Sequence, residues 1–404
     1  MRILQVHNFY RTRGGECRVV CAERKLLVDN GHEVIPFYAD SKDIDSLSTV
    51  RKAEMFLQIP HNVAVARRFR VILESARPDL VHIHNVFPLL SPSIYRVAKH
   101  LRYPVIQTLH NYRFLCPNGL FYVKGKICEA CQEKGYWEAV RNRCMHGSIA
   151  TSALYAAAVM RGWHSGAFGS CIDRFIVLNK FSAGKIMTGG VPKEKIHICG
   201  NFVNDFAEAP ATKKRYALYL GRLSSEKGLA TLLAAARLVP ELPLKIAGTG
   251  PLEADLRRAV GEPGMNHVEL VGHVTGEVKR RFIAEALCTI VPSECHENFP
   301  LSLVESLALG TPVIASRMGG LPDLIEHGCT GLLFQAGDAE ALAECLRRIS
   351  DSEAGTYEMA VNALARARER FTPQRHLEQL LEIYRDAIGD ARNISNTQEQ
   401  CVQP

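Results

Sequence analysis

Two successive α/β domains, each a doubly wound parallel sheet of Rossmann-like type, are what this sequence predicts, and three observations carry that expectation. The 404 residues exceed one average domain and suit two of about 150–200 residues each. Short β-branched runs alternate with amphipathic helical stretches along nearly the whole chain, which is how strand–helix–strand units read. The alternation breaks at NFVNDFAEAPATKKR, residues 201–215, where Pro, Ala and charge replace any periodicity; this segment reads as a linker. The expected division is therefore 1–205, 206–373 and a final helical segment, 374–404, returning to the first domain.

In chain order, MRILQVH opens as a strand, a helix follows over roughly 15–30, and HEVIPFY is the second strand. A helical region to about 77 leads to DLVHIHN, a helix, PVIQTLHN, and then RFIVLN and KIHICGN. After the linker, YALYLGRL, LPLKIAGTG, HVELVGHV, LCTIVPS, TPVIAS and GLLF are the strands of the second series. The stretch 375–389 is helical by its apolar spacing, and NISNTQEQCVQP reads as a frayed polar tail. There are no long-period repeats.

Hydrophobic residues make up 47% and charged residues 23%, which is ordinary globular protein with ample core. No apolar run reaches the ~18 residues a membrane span needs. MRILQVHNF lacks the basic and apolar regions of a signal peptide, so a cytoplasmic protein is expected. Its 13 cysteines, most scattered singly as at Cys171, Cys288 and Cys345, suit a reducing compartment better than a disulfide framework. The net charge of +7 divides into +13 for residues 1–200 and −6 for 201–404. Such a split favours an anionic ligand or surface for the first half, although a merely solvated basic face would look alike. No zinc-finger or aromatic-basic RNA motif is present, so nucleic acid is not an expected partner.

Candidate ligand-binding residues cluster at predicted strand ends, where open α/β sheets bind ligands. In PSECHENFPLSLVESLALGTPVIAS, Glu297 lies in the strand-end loop and Glu305 eight positions on, inside a helix that Pro300 would begin. The N–H groups of Asn298, Phe299 and Leu301 would face the same crevice, where amides and a carboxylate suit a polyol. The bland alternative makes Glu297 a surface loop residue and Glu305 a solvated helix residue. In LYLGRLSSEKGLATLL, Arg222 and Lys227 stand five apart between a strand and a helix, a fork and a point charge suited to a pyrophosphate. AGTGP adds Gly250 in a turn that permits close backbone approach. In NFYRTRGGECR, Gly14 and Gly15 occupy the first strand-to-helix loop, and a tight turn would explain them equally. His110 ends the strand of TLHNYR; His84 in HIHNVF is as easily structural.

Taken together, GRLSSEKG, GTGP, VGHV, PSECHENFPLSLVE, GTPVIASRMGGLPDLI and GCTGLLF resemble, in order, the retaining glycosyltransferases of glycosyltransferase family 4, which have the GT-B fold of two facing Rossmann-like domains with a cleft between them. The resemblance implies that Arg222 and Lys227 hold the diphosphate of a nucleotide-sugar donor, a UDP-sugar by expectation, and offset charge on the leaving group. It implies that Glu297, with the amides from Asn298 through Phe299 and Pro300 to Leu301, binds the donor sugar, that Glu305 holds the ribose, and that His110 contacts the sugar near the reaction centre. Gly14 and Gly15 would line the same site. Catalysis would need no metal or cofactor, and the acceptor would be a glycan or a polyprenyl-linked lipid. Phe202 stands where the family often has Gly, which leaves the hinge path in NFVN open. The alternatives are a GT-B sugar-nucleotide epimerase, separable by whether free nucleotide and glycoside appear, and an inactive homologue acting as a partner subunit, against which the intact Arg222, Lys227, Glu297 and Glu305 speak. A Rossmann dehydrogenase is disfavoured because no Gly-x-Gly-x-x-Gly precedes an acidic residue.

Two features stand apart. Cys116, Cys128, Cys131 and Cys144, with a Cys-x2-Cys at their centre, could close a structural zinc site in an insert over 116–146, or be four reduced thiols. RKAEMFLQIPHNVAVARRFRVIL mixes Arg51, Lys52, Arg67, Arg68 and Arg70 with Phe56, Leu57 and Phe69. It could rest on an anionic membrane surface, peripheral to the inner face of the cytoplasmic membrane, or be helix packed on a core.

Overall fold

The computed structural model describes the backbone of residues 1–400 and the side chains of residues 1–391; of the frayed polar tail expected over 393–404, residues 393–400 are instead helical and 401–404 lie outside the described residues. The chain divides into two compact units, residues 1–123, 128–200 and 376–404 in one and 124–127 with 201–375 in the other.

The first unit is a six-stranded sheet in the order β2-β1-β3-β4-β7-β8, every pair parallel. Its strands are β1 (Arg2–Phe9), β2 (Glu33–Asp40), β3 (Leu80–Asn85) and β4 (Val105–Leu109), then β7 (Arg174–Val177) and β8 (Ile196–Ile198) after a short hairpin of β5 (Tyr122–Val123) and β6 (Lys126–Ile127). Helices α1 (Gly15–Asp29), α2 (Thr49–Leu57), α3 (Val63–Ala76) and α4 (Ser93–His100) connect the first strands. The insert carries α5 (Ala130–Lys134) and α6 (Trp137–Arg141), followed by α7 (Ile149–His164) and α8 (Lys180–Thr188). The basic stretch 51–73 is two helices, α2 and α3, whose Phe69 and Leu73 enter the core while Leu57 and Val71 stay exposed.

Strand alternation sorts the sheet's two faces. Leu4, Val6, Val81, Ile83 and Val105 join one core cluster with Phe69 and Leu73 of α3. Ile3, Leu80, Ile106 and Ile176 join another with Leu27 of α1.

The second unit repeats the plan with six parallel strands in the order β11-β10-β9-β12-β13-β14. They are β9 (Lys214–Leu220), β10 (Leu244–Ala247), β11 (Val268–Gly272), β12 (Ala286–Val291), β13 (Val313–Ser316) and β14 (Gly331–Phe334). Residues 201–213 form neither helix nor strand. Between and after the strands run α9 (Leu229–Leu238), α10 (Glu253–Val260), α11 (Gly276–Glu285), α12 (Leu301–Ala308), α13 (Leu321–Leu324), α14 (Ala339–Asp351) and α15 (Glu353–Arg370). The chain then enters α16 (Pro373–Gln400), whose Leu377, Leu380, Ile383, Tyr384 and Ala387 complete the first unit's core around Ile3, Leu80 and Ile106.

Each sheet has one place where successive connections leave to opposite sides, between β1 and β3 and between β9 and β12. The carboxyl ends of strands at such a point leave a crevice, and this is where α/β sheets take ligands.

Candidate functional site

In the second unit, glycines let two strand-end loops lie against each other. Gly228, which closes the turn after Lys227, has φ 68°, and a Cβ there would fall 1.9 Å from the Pro292 carbonyl oxygen. The loop after β9 is thereby pressed onto the loop after β12. Lys227 Nζ consequently lies 2.5 Å from Glu297 Oε1, and Ser293 Oγ donates to the same oxygen at 2.5 Å. Gly319, with φ 60°, faces the Glu297 backbone so closely that a Cβ would sit 2.4 Å from its carbonyl oxygen. The Gly320 N–H donates to that carbonyl at 2.7 Å. Glu297 is 8% exposed and held at both its carbonyl and its carboxylate, which is not the surface-loop alternative. Burial works against the Lys227 ammonium, but the Glu297 charge and hydrogen bond outweigh it and raise the lysine above its ordinary value.

Arg222 is exposed at the end of β9, where Tyr219 Oη donates to its carbonyl at 2.8 Å. Gly250 serves packing between protein loops: a Cβ would lie 2.3 Å from the Leu223 carbonyl oxygen, and Leu223 N–H donates to the Thr249 carbonyl at 3.0 Å. Asn298 and Phe299 are buried, the latter's ring edge-on to Phe371 at 5.7 Å. Pro300 falls one residue short of its expected place, because it caps α12 in an extended conformation and Leu301 is the first helical residue. No side chain caps that helix, so its leading amides have no side-chain acceptor there. Glu305, in the second turn of α12, is paired with Lys279 of α11.

In the first unit, Gly14 is extended at the start of α1, and the space a Cβ would enter is open. Gly15 begins the helix, again without a side-chain cap. Glu16 follows. Its Oε2 accepts from Tyr10 Oη at 3.1 Å and from Asn111 Nδ2 at 3.2 Å, and burial pushes its carboxyl up to about 7. Beside it, His7 is wholly buried with its Nδ1 3.9 Å from Glu16 Oε1, and burial holds it down at about 3. Arg113 Nε is buried nearby without a hydrogen-bond partner.

His110 directly follows β4, and its Nε2 is 3.0 Å from His84 Nδ1 with the two rings stacked at 5.3 Å. Burial holds His110 well below its ordinary value. His84 belongs to a buried polar group around Glu23 of α1, which also takes in Gln5, His82 and His376.

Cys116, Cys128, Cys131 and Cys144 all line one small cavity in the insert, together with Asn118, Glu138 and Asn142. Cys116 Sγ donates to Asn118 Oδ1 at 3.0 Å. Burial, with the neighbouring thiols, pushes Cys131 up to about 12. Among the described residues, the set of three ligand atoms within 4.8 Å of one another is Glu23, His82 and His84; the cysteine sulfurs are gathered but not at coordinating separation. No helix of the described residues is long and apolar enough to cross a membrane.

Sequence reasoning passed over Ser293, Lys279, Gly319, Glu16 and Glu23. Of these, Gly319 carried a usable signal as half of a Gly-Gly pair between a strand and a helix, and Glu23 one as a carboxylate at helical spacing from Val19, Val20 and Leu27.

Two parallel-sheet α/β units of this topology define the GT-B architecture. Residues 13–205 match the family described as Glycosyltransferase Family 4, and residues 202–370 that described as Glycosyl transferases group 1; together they support a glycosyltransferase of GT-B type. The chain is 33% identical to the amylovoran biosynthesis glycosyltransferase AmsK of Erwinia amylovora, over 49% of this chain and 53% of that protein. It is 29% identical to the D-rhamnosyltransferase WbpZ of Pseudomonas aeruginosa, over 54% and 59% respectively. The matched regions thus span little more than half the length of these relatives. Anabaena HepE, solved in complex with UDP, superposes with a TM-score of 0.65 at 18% identity, covering 95% of this chain and 99% of HepE, a likeness of fold.

Proposed function

We propose that this protein is a retaining glycosyltransferase that moves a sugar from a nucleotide-sugar, a UDP-sugar, to a glycan or polyprenyl-linked acceptor in bacterial polysaccharide or glycolipid assembly. The observation that carries this reading is the Lys227–Glu297 pair at the head of α12, fixed by Gly228 and Gly319, within the stretch that matches the group 1 glycosyltransferases. Support for the donor comes from HepE, solved with UDP-glucose, and for the pathway class from AmsK and the putative-role colanic acid relative WcaL of Escherichia coli.

In this reading the diphosphate is bound by Arg222 and by Lys227, which turns toward it from Glu297. A Glu297 oxygen relieved of the lysine then accepts from a sugar hydroxyl. The uncapped amides of α12 face the negative charge that grows on the leaving phosphate, which is where preorganised donors lower a barrier. Glu305 accepts from the ribose diol in place of Lys279. Gly14 and Gly15, without a Cβ, permit close approach of phosphate or acceptor. The acceptor attacks on the face the nucleotide leaves, its proton passes to the departing phosphate, and the configuration is retained.

Unfolding temperature against UDP-, GDP- and ADP-sugars identifies the donor, since a ligand of the folded state alone raises stability by mass action. Anomer analysis of the product by NMR then tests retention. A stabilising shift from UDP-sugars with an α-linked product from an α-linked donor is expected. An inverted product would overturn the retaining assignment, and interconversion of free nucleotide sugars without glycoside would favour the epimerase.

A further inference from the structure

The four large apolar side chains most exposed among the described residues are Trp137 of α6, Leu57 and Val50 of α2, and Val71 of α3, at 73, 70, 69 and 62%. Scattered singly over a surface they would need no explanation. They are not scattered, because α7 lies against both α6 and α2, and α2 leads into α3 through the short turn 58–62. His61 in that turn is held below its ordinary value by partial desolvation and by the charges of Arg161, in the last turn of α7, and Arg96. None of the residues of α2 is buried, and Val50, Ala53 and Leu57 form one exposed stripe along it. α3 sends Phe69 and Leu73 into the core and turns Val63, Arg67 and Val71, four apart, outward. In α7 the run IATSALYAAAVM carries no charge; Ile149 and Met160 at its ends are exposed, and Ala150, Leu154 and Ala157 between them are exposed or half-buried.

We propose that α2, α3, α6 and α7 present a face that rests on the surface of an anionic lipid bilayer, with Trp137, Leu57, Val50 and Val71 at headgroup level and Arg51, Arg67 and Arg161 among the lipid phosphates. Charge selects this occupant. Residues 49–77 hold six Lys and Arg against two Glu, and Glu74 is already paired with Arg70. Arg51, Arg67 and Arg161 are exposed and make no ion pair among the described residues. A second copy of this chain seated on the same patch would bring these cations toward their own kind, whereas an anionic surface attracts them while the apolar side chains leave water. A Trp ring, apolar with one N–H to satisfy, suits the boundary between headgroups and acyl chains. Long Arg side chains keep their charge in the polar layer while their stems lie along apolar surface. No helix of the described residues is long and apolar enough to cross the bilayer, so the contact is one of lying on it.

For the transferase, this surface brings the first unit to an acceptor whose polyprenyl tail is held in the bilayer. That purpose rests on the proposed function, whereas the binding does not.

Co-sedimentation of the full chain with lipid vesicles tests this. The protein is expected to bind vesicles of phosphatidylglycerol and phosphatidylcholine in equal parts, to leave phosphatidylcholine alone unbound, and to come off as salt rises. Leu57→Ser and Trp137→Ser should each weaken binding by roughly tenfold, since burying one large side chain is worth about that factor or more, and Arg67→Gln by about 5-fold. These side chains are exposed, so unfolding temperatures should stay near that of wild type. Val361→Ser, on the exposed side of α15 in the second unit, should bind as wild type does. Failure to bind anionic vesicles, or equal binding to neutral ones, overturns the proposal, as do Leu57→Ser and Trp137→Ser proteins that bind like wild type. Self-association that these two variants abolish, in place of vesicle binding, would make the face an interface between copies and overturn it as well. Vesicle binding by a protein that transfers no sugar leaves the surface standing and sinks the functional reading; transfer to a water-soluble acceptor without vesicle binding does the reverse.

Discussion

Lys227 Nζ and Glu297 Oε1 are 2.5 Å apart, so the cation assigned to the diphosphate and the carboxylate assigned to the sugar hold each other in the free protein. Lys279 and Glu305 form a parallel pair one helix away. Each pair shares its charge until a ligand offers both partners something better. For Lys227→Ala, transfer is expected to fall by several powers of ten. Removing the lysine also takes the charge partner from a buried carboxylate that Ser293 still hydrogen-bonds, at a stability cost of about 1–3 kcal/mol. Arg222→Ala should lose comparable activity but change stability by only ~0.5 kcal/mol, since the residue is exposed. Denaturant unfolding beside a transfer assay separates the two, and full turnover in purified Lys227→Ala would remove it from the donor site.

Gly319→Ala is expected to destabilise by about 2 kcal/mol or more, because the residue is left-handed and its Cβ would collide with the Glu297 backbone. Gly14→Ala meets open space at an extended φ, so its stability should stay within ~0.5 kcal/mol while any role in ligand approach is lost. Equal unfolding midpoints for the two variants would contradict this account of the glycines.

Glu16 gives a pH signature. Its folded value of about 7 lies above the unfolded 4.5, so the native state binds the extra proton between those limits. Stability is therefore lost on this group's account as pH rises from 4.5 to 7. Glu16→Gln removes that slope, while His7, whose depressed value works in the opposite direction, is held down by burial, His84 and Arg13 rather than by Glu16. Relative to wild type, the variant should be little changed near pH 5 and more stable near pH 8 by on the order of 2 kcal/mol. A pH-independent difference would show that the carboxyl is not desolvated.

The four cysteines share one cavity, with their sulfurs not at coordinating separation. If they hold zinc, protein purified under reducing, chelator-free conditions contains about one equivalent per chain, and Cys128→Ser lowers both the metal content and the unfolding temperature. Metal analysis that finds none would make them reduced thiols.

The strands are the most legible part of this sequence. DLVHIHN and LCTIVPS are β-branched or apolar runs with a Gly, Pro or polar stop, and such runs have few other homes than a buried parallel strand. The same punctuation located Lys227 and Glu297 at strand ends. The insert was less readable, because β5, β6, α5 and α6 are each too short to show a period. Glu23 was missed for a different reason, since strand punctuation says nothing of a residue within a helix. In VVCAERKLL it stands three and four places from Val20, Val19 and Leu27, on the apolar face of α1, but only folding brings His82, His84 and His376 around it. Lys279 is hidden for the same reason, as an ordinary basic residue of α11 that tertiary packing sets against Glu305.

His376 and Glu23 face each other across 353 residues of sequence, and this has a bearing on synthesis. A chain leaving the ribosome at ~5–20 residues per second exposes β1, β3 and β4 long before α16 exists to cover Ile3, Leu80 and Ile106. Until then Glu23 has only part of its set of partners, and an apolar sheet face is open to solvent. The nascent first half is therefore expected to stay loosely packed and to be a substrate for chaperones, tightening only when translation reaches Tyr384.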